Sequence, residues 1–249
     1  MNITGNTIFI AGGTSGIGLG LARRFHDLGN TVIIGGRRTE LLEQVESDYP
    51  GIQTVEIDTT SPESIAAAKD TVLSRFPELN VLVCMAGIML PEDLHDPAFL
   101  DVAERTVITN LLGPIRLIAA FTPHLSEQAS STIVTVSSGL AFVPLPITPT
   151  YNATKAAIHA FSEILRVQLA DTPIQIIELV PPGVRTALMN QEESPNAMPL
   201  EDFLDEVIAL LESEPDAKEI LVDNVKFLRH ATANGKYDEV LAMFAGPHN

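Results

Sequence analysis

The chain has 249 residues with 45% hydrophobic side chains, and its 15 basic against 32 acidic residues give a formal net charge of −17. This composition supports a buried core and excludes a disordered chain, while the acidic balance disfavours nucleic acid and anionic membrane surfaces as partners. A single cysteine, no leader-like N-terminus and no apolar run near the roughly 20 residues of a membrane span lead us to expect a cytoplasmic protein.

Short apolar runs rich in β-branched residues alternate with longer helical stretches through about residue 180. The predicted strands are Thr7–Ala11, Thr31–Gly35, Gln53–Ile57, Val81–Cys84, Thr132–Val136 and Ile174–Val180. Their nearly continuous apolar character is typical of parallel strands covered by helices on both faces. The helices predicted between them include Ile17–Leu28, Ser61–Phe76, Leu100–His124 and Asn152–Ala170. The alternation predicts an α/β fold, a doubly wound parallel sheet with right-handed crossovers.

The pattern changes after Val180, where prolines punctuate a polar stretch. Helices are predicted at Leu200–Leu211, Asp216–Ala231 and Tyr237–Phe244, and Glu219–Val222 is either a brief strand or part of a helix. No linker of glycine and serine divides the chain, so we expect a single domain over residues 1–249. Within it, residues 186–213 are the expected substrate lid and residues 214–249 a helical tail.

A glycine-rich segment joins the first predicted strand to the first predicted helix. Residues 11–18 are Ala-Gly-Gly-Thr-Ser-Gly-Ile-Gly. Glycine here allows positive φ and lets backbone N–H groups approach a pyrophosphate, while the helix N-terminus supplies partial positive charge. Gly18 permits close packing of helix on strand. The segment predicts a dinucleotide site; the alternative is an ordinary glycine-rich turn.

Two arginines follow the second predicted strand, where doubly wound folds bind the adenosine ribose. The segment is Gly35-Gly36-Arg37-Arg38. An acidic side chain here would bind the ribose 2′-hydroxyl and repel a 2′-phosphate, whereas a guanidinium binds phosphate through its planar fork. We therefore expect NADP(H) to be preferred over NAD(H), with a solvated surface pair as the alternative.

Tyr151 and Lys155 lie four residues apart at the start of a predicted helix, so they project from the same face. A neighbouring ammonium and an oxidised nicotinamide would lower the pKa of a tyrosine, which can then act as general acid in carbonyl reduction and base in alcohol oxidation. Ser138 stands thirteen residues before Tyr151, at the end of a predicted strand, and can polarise a substrate oxygen. Its neighbour Ser137 is the alternative, because adjacent strand residues point in different directions.

These segments, taken in order, resemble the classical short-chain dehydrogenase/reductase family. Its T-G-x-x-x-G-x-G motif is matched in residues 11–18, with Ala11 in the threonine position. The serine, tyrosine and lysine spacing also agrees. Residues 109–113, Thr-Asn-Leu-Leu-Gly, resemble the segment of its fourth catalytic residue, and residues 181–186, Pro-Pro-Gly-Val-Arg-Thr, resemble its P-G-x-V-x-T with Pro182 in the glycine position. Cys84 and Met85 replace the asparagines of its N-N-A-G.

The resemblance implies a Rossmann-like fold and a role for each matched position. The implied catalytic residues are Asn110, Ser138, Tyr151 and Lys155. Lys155 would bind the nicotinamide ribose, Asn110 would hold a water beside it, and Val184 and Thr186 would hold the carboxamide. Asp58 would accept a hydrogen bond from adenine, or else serve as a turn or cap residue. The implied cofactor-binding residues are Gly12, Thr14, Ser15, Gly16, Ile17, Gly18, Arg37, Arg38, Asp58, Ala86, Gly87, Tyr151, Lys155, Pro181, Val184 and Thr186, and no metal is expected.

The expected function is that of an NADP(H)-dependent carbonyl reductase, or the reverse alcohol dehydrogenase, acting on a small, largely apolar substrate between residues 139–150 and the lid. Two alternatives remain: a catalytically silent NADP(H)-binding sensor on the same fold, and a structural or interaction protein. Family members usually pair through two long helices, which implies a homodimer or homotetramer through residues 100–124 and 152–170.

Overall fold

A single seven-stranded parallel sheet organises the chain, which a computed structural model describes over residues 1–245. The strands are β1 (Thr7–Ala11), β2 (Thr31–Gly36), β3 (Gln53–Glu56), β4 (Val81–Cys84), β5 (Ser131–Val136), β6 (Ile174–Leu179) and β7 (Glu219–Ile220). Their order across the sheet is β3-β2-β1-β4-β5-β6-β7. This order confirms the predicted doubly wound, Rossmann-like fold.

Helices cover both faces of the sheet. They are α1 (Gly16–Asp27), α2 (Thr39–Asp48), α3 (Pro62–Arg75), α4 (Phe99–Val107), α5 (Gly113–Glu127), α6 (Pro149–Gln168), α7 (Leu200–Ser213), α8 (Asp223–Arg229) and α9 (Tyr237–Ala245). Side chains of β1 alternate between two core clusters: Ile8 and Ile10 pack on the α1 and α7 side, whereas Phe9 and Ala11 pack on the α3 and α5 side. Burial on both faces explains why the strands lack alternation.

The chain reverses its direction of winding at β1, which pairs with β2 on one side and β4 on the other. Ala11 is aligned with Gly35 and with Cys84, so the segments that leave these three strands start at the same edge. In doubly wound sheets, the crevice at this switch point is where ligands bind.

The predicted helix Leu100–His124 corresponds to α4 and α5, which are joined by a π-helical segment, Ile108–Leu112. By length and composition the run Phe99–Glu127 is apolar enough to cross a membrane, which the sequence did not lead us to expect. Core helices pass the same test, and here Leu117 and Phe121 are buried against the sheet.

The C-terminal part differs from the prediction in two places. The helix predicted over Asp216–Ala231 begins later, at Asp223, and of the two alternatives for Glu219–Val222 the brief strand is present, because β7 pairs with β6. In addition, α7 lies inside the segment expected to be a lid, yet Phe203 and Leu204 are fully buried. A Cβ added to Gly20 would lie 2.2 Å from Leu204 Cδ1, so α7 packs closely on α1. Helix α7 is therefore part of the core.

Candidate active site

The turn after β1 has glycine where no other residue fits. Gly12 has φ of +99°, and a Cβ there would lie 2.5 Å from the amide nitrogen of Ala86. A Cβ on Gly18 would lie 2.1 Å from the carbonyl oxygen of Gly12. The turn is thus held tightly between α1 and the segment after β4, and its glycines leave part of the backbone uncovered by side chains. These features fit a cradle for the pyrophosphate of a dinucleotide.

Helix α1 begins at this turn without a side-chain cap. Its N-cap residue, Ser15, makes no capping hydrogen bond, and no acidic residue lies in the first turn. The N-terminal N–H groups and the helix dipole therefore favour an anion at this end. Gly16, with φ of +54°, and Ile17 border a crevice of about 380 Å³ that continues past β2.

Arg37 and Arg38 border the far end of that crevice. A Cβ on Gly36 would lie 2.5 Å from Thr14 Cγ2, so glycine lets the chain leave β2 against the glycine-rich turn. The Arg38 guanidinium approaches Thr14 Oγ1 at 3.5 Å. Both arginines are exposed, and neither appears in an ion pair among residues 1–245. Two cationic forks are thus available at the end of β2, where the sequence predicts that a 2′-phosphate binds.

Asp58 lies at the same crevice but is engaged locally. Its Oδ1 accepts hydrogen bonds from the amide and the hydroxyl of Thr60, at 2.9 and 2.8 Å. Partial burial raises the pKa of the carboxyl, but these hydrogen bonds and the charge of Arg37 outweigh it, so the pKa lies below its usual value. Asp58 stabilises the turn after β3 while remaining within the predicted adenine region.

Tyr151 and Lys155 lie on the first two turns of α6 and are both buried. Lys155 Nζ donates a hydrogen bond of 2.8 Å to the carbonyl oxygen of Val136, at the end of β5. The same nitrogen lies 5.6 Å from the centroid of the Tyr151 ring. The bond to β5 holds the ammonium beside the phenol.

Burial dominates the protonation of this pair. It raises the pKa of Tyr151 to about 12, and the Ser138 hydroxyl offsets only part of this rise. It lowers the pKa of Lys155 to about 8, against the opposing field of Glu178. The sequence suggested a lowered tyrosine pKa, but the pKa is raised, because loss of solvation is its largest cause.

Ser138 and Ser137 differ in their hydrogen bonds. Ser138 caps the 3₁₀ turn Gly139–Ala141, where its Oγ accepts a hydrogen bond from the amide of Leu140, and it interacts with Tyr151. Ser137 Oγ is buried and has no hydrogen-bond partner within residues 1–245. The interaction with Tyr151 distinguishes Ser138 as the serine beside the phenol.

Asn110 lies in the π-helical segment and is buried. It bonds both backbone polar groups of Ile88, and a Cβ added to Gly87 would lie 3.3 Å from Asn110 Oδ1 and 4.0 Å from Lys155 Nζ. The helix is locally distorted at Asn110, because π segments interrupt the regular helical ladder.

The segment after β6 separates the crevice from a larger cavity. Val184 pairs with Met198 as an isolated parallel bridge, and Thr186 has its Cγ2 3.4 Å from where a Cβ on Gly16 would lie. Thr186 borders both cavities, as do Ile17 and Gly87. Pro181 and Val184 line the larger one.

This larger cavity, about 610 Å³, has Ser138, Tyr151 and Lys155 in its wall. Of the two segments expected to enclose the substrate, residues 139–150 contribute Leu140 and Leu145 to the lining, and the expected lid contributes Leu188. Several residues that line the two cavities were not predicted as site residues: Thr59, Thr60, Ile88 and Thr109 at the crevice, and Met89, Asn224, Phe227, Leu228 and Phe244 at the cavity. Thr59 and Thr60 directly follow Asp58, and Thr109 directly precedes Asn110, so these three carried a local signal.

The structure brings the predicted site residues together along one edge of the sheet. The crevice collects the glycine-rich turn, both arginines, Asp58, Ala86 and Gly87; the cavity collects the serine, tyrosine and lysine with the segment after β6. Asn110 borders neither and lies behind Gly87. Cys84 is fully buried, and burial raises the pKa of its thiol to about 12, as expected of a core residue.

Comparison with known proteins agrees with this arrangement. The sequence model of the short chain dehydrogenase family matches residues 6–197. The chain is 40% identical to DltE of Bacillus subtilis (strain 168), described as an uncharacterized oxidoreductase, over the whole of both chains. It is 32% identical to the NADPH-dependent 1-acyldihydroxyacetone phosphate reductase of Schizosaccharomyces pombe, over 71% of this chain and 58% of that one.

A solved structure agrees with the fold over its full length. A short chain dehydrogenase from Burkholderia cenocepacia J2315 in complex with NADP superposes with a TM-score of 0.82, covering 99% of this chain and 100% of that chain at 27% identity. Similarity to these proteins extends along most of the sequence. It therefore accompanies the strand order, the glycine-rich turn and the cluster of serine, tyrosine and lysine. The chain belongs to the short-chain dehydrogenase family, whose fold binds a nicotinamide cofactor.

Proposed function

We propose that the chain is an NADP(H)-dependent oxidoreductase that moves a hydride between the cofactor and the carbonyl carbon, or secondary alcohol carbon, of a largely apolar substrate. The observation that carries the proposal is the placing of Ser138, Tyr151 and Lys155 in the wall of one cavity. That cavity adjoins the glycine-rich crevice through Thr186 and Gly87. A bound dinucleotide and a substrate would therefore meet beside the three side chains.

Tyr151 is the proton donor in carbonyl reduction. With a pKa of about 12, its phenol keeps its proton at neutral pH and can pass it to the substrate oxygen. Ser138, which interacts with the phenol, is placed to polarise the same oxygen. When bound, NADPH supplies the hydride that the carbonyl carbon accepts, so one hydride and one proton convert a carbonyl to an alcohol.

Lys155 supports the phenol by charge. Its ammonium is fixed by the carbonyl oxygen of Val136 and favours the phenolate that forms when the proton leaves. It is also the residue we assign to the ribose hydroxyls of the cofactor. Asn110 holds the segment Gly87–Ile88 next to this ammonium, which makes it a positioning residue.

The cofactor preference is proposed from the end of β2. Arg37 and Arg38 border the crevice, and the residue before them is Gly36 rather than an acidic residue that would repel a 2′-phosphate. Two similar proteins support the same preference. The fission yeast relative is named as NADPH-dependent, and the Burkholderia enzyme was solved in complex with NADP.

Purified protein tested with NADPH and NADH against a panel of ketones and aldehydes decides the function. We expect NADPH-dependent turnover, and in Tyr151→Phe a loss of roughly 10²–10⁴-fold with NADPH binding retained. The matched control is Tyr49→Phe, because Tyr49 lies at the end of α2, outside both cavities. Retained turnover in Tyr151→Phe would remove that residue from the mechanism. NADPH binding without turnover of any carbonyl or alcohol would favour the sensor.

We also propose that two copies pair through α4–α5 and α6. Apolar side chains are exposed on these helices, with Leu100 at 55%, Ile164 at 53% and Val167 at 71%. Exposed apolar residues on adjacent long helices suit a self-complementary interface. Light scattering should report a dimer or tetramer, and Val167→Glu should shift it towards the monomer; a monomeric wild-type protein would contradict the proposal.

A further inference from the structure

The substrate cavity has a wall from the C-terminal part of the chain. It consists of Asn224, Phe227 and Leu228 of α8 and Phe244 of α9. Phe227 is half exposed, with its ring at the cavity. These side chains line the same cavity as Gly139 and Leu140 of the loop that follows the catalytic serine, so they border the space in which the substrate would extend away from its reacting carbon.

Helix α8 is fixed in relation to that loop. A Cβ on Gly139, the residue after Ser138, would lie 2.6 Å from Leu228 Cδ1 and 2.9 Å from Val225 Cγ2. At the last residue of α8, Arg229 binds both carboxylate oxygens of Glu219 on β7 at 2.9 Å. The wall is therefore a packed surface whose composition can select a substrate.

The lining of the cavity is almost free of charge. Among residues 1–245, Lys155 and Asp223 are the only ionisable acidic or basic side chains in it apart from Tyr151. Lys155 is buried beside Tyr151 and bonded to the carbonyl oxygen of Val136. Asp223 is acidic, so it gives an anion no support.

The cations closest along the surrounding elements are already engaged. Lys226 Nζ bonds Asp223 Oδ1 at 2.7 Å, and Arg229 is held by Glu219. Arg185, between two residues of the cavity wall, directs its Nε to the carbonyl oxygens of Ser194 and Ala197, at 3.0 and 3.2 Å. Each has a partner that an anionic ligand would have to displace.

The rim of the cavity is acidic. Glu192 and Glu193 are exposed in the stretch between Gln191 and Ser194, both of which line the cavity. The whole chain has a net charge of −17. An anionic substrate would lose solvation on entering an apolar wall and would meet like charge at the entrance, and both effects oppose binding.

We propose that the cavity selects uncharged carbonyl compounds or alcohols with an apolar chain that reaches α8, and discriminates against anionic ones such as carboxylates, phosphate esters and phosphopantetheine thioesters. The proposal rests on the hydride-transfer function proposed above and adds the charge class of the substrate. It separates this chain from the fission yeast relative, whose name specifies a phosphate-bearing substrate.

Matched neutral and anionic ketones test the selection. The methyl esters of 4-oxopentanoic and 8-oxononanoic acid differ from the free carboxylates by one charge while keeping the ketone in place. With NADPH, kcat/KM should be at least about tenfold higher for each ester than for its carboxylate. The reason is that a charged carboxylate loses much more solvation free energy than an ester on entering the cavity. Equal values, or a preference for the carboxylates, overturn the proposal.

A charge introduced into the wall should weaken the selection. Asn224→Arg places a cation on the exposed part of α8 that borders the cavity, and it should raise kcat/KM for the carboxylates relative to the esters by about tenfold. His230→Arg is the matched control, since it adds the same side chain just after α8 at an exposed position outside the lining. An identical gain in both variants would show that overall charge, rather than the cavity wall, is responsible.

Binding separates this inference from the hydride-transfer proposal. Calorimetric titration of the NADP⁺-loaded protein with the 8-oxononanoate pair needs no turnover. If no ketone is reduced yet the ester binds more tightly than the carboxylate, hydride transfer fails and the charge selection stands. If ketones are reduced but the two ligands bind equally, or the ester does not bind, the charge selection fails and hydride transfer stands.

Discussion

Asn110 exchanges two hydrogen bonds with the backbone of Ile88: its Oδ1 accepts from the amide at 2.8 Å and its Nδ2 donates to the carbonyl oxygen at 2.7 Å. The π-helical segment places this side chain at the segment that follows β4. Gly87 precedes Ile88 and lies close to both Asn110 and Lys155. One amide group thus ties the long helix to the chain that passes between the crevice and the cavity.

Asn110→Ala should destabilise the protein and slow its turnover. Because Asn110 is buried and Ile88 would be left with an unpaired N–H and C=O, we expect the free energy of unfolding to fall by about 2–4 kcal/mol in urea denaturation. We also expect a lower kcat with NADPH, since the position of Gly87 near Lys155 is released. Asn110→Asp, which retains the acceptor and loses the donor, should lie between; an alanine variant as stable as the wild type would contradict the assignment.

Arg37→Ala should weaken the binding of NADPH and leave that of NADH nearly unchanged. The loss of one charge-assisted contact to a 2′-phosphate corresponds to roughly a tenfold to hundredfold increase in Kd. Titration of cofactor fluorescence measures both constants. Arg105→Ala is the control, because Arg105 is exposed on α4, outside the crevice. Equal losses for NADPH and NADH would show that Arg37 does not bind the 2′-phosphate.

The sheet could be predicted because its signals are local. Each of the first six strands is a short apolar run. Ala11 leads directly into the glycine-rich turn, where neighbouring atoms leave no room for a Cβ at Gly12 or Gly18, so glycine is required at both positions. Tyr151 and Lys155 were identifiable because four residues on a helix fix a common face. Such features need no knowledge of distant contacts.

The features that were left open or missed depend on tertiary contacts. The sequence left Glu219–Val222 open between a brief strand and part of a helix, and the strand β7 forms because Glu219 and Ile220 pair with β6. Phe227 reaches the cavity because α8 packs on Gly139, almost ninety positions earlier in the chain. The pKa of Tyr151 likewise depends on how completely the fold removes it from water, which the spacing to Lys155 does not report.

Lys155 should make the stability of the protein depend on pH in a defined direction. Its pKa is about 8 in the folded chain and 10.5 in its ordinary environment, so between these values the unfolded chain binds more protons. The free energy of unfolding contributed by Lys155 therefore rises with pH across this window, by about 1.4 kcal/mol per pH unit. Below pH 8 both states are protonated and the contribution is constant.

Urea denaturation of the wild type and Lys155→Met at pH 7.5 and pH 9.5 measures this dependence. The wild type should gain about 2 kcal/mol relative to the variant between the two values. Turnover should change in the opposite sense, because the ammonium that favours the phenolate is lost as pH rises through about 8. Parallel stability profiles for the two proteins would show that the pKa of Lys155 is not lowered in the folded state.

Gly18 and Gly20 provide a matched pair on α1 for testing the nucleotide cradle. Alanine is the better helix former at both positions, so propensity alone predicts a gain in stability. At Gly18, however, the added Cβ would lie 2.1 Å from the backbone oxygen of Gly12, whereas at Gly20 it meets Leu204 Cδ1 at 2.2 Å. The far end of a leucine can rotate away, but the oxygen moves only if the turn moves.

Gly18→Ala should therefore weaken NADPH binding at least about tenfold and lower the thermal midpoint by several degrees, because the turn that surrounds the pyrophosphate is displaced. Gly20→Ala should affect the midpoint through the α1–α7 contact and leave the Kd for NADPH within about threefold, since Leu204 lies away from the crevice. Calorimetry and thermal denaturation of both variants measure the two effects. If both lose NADPH affinity equally, the packing of α1 as a whole, rather than the close approach at Gly12, shapes the cradle.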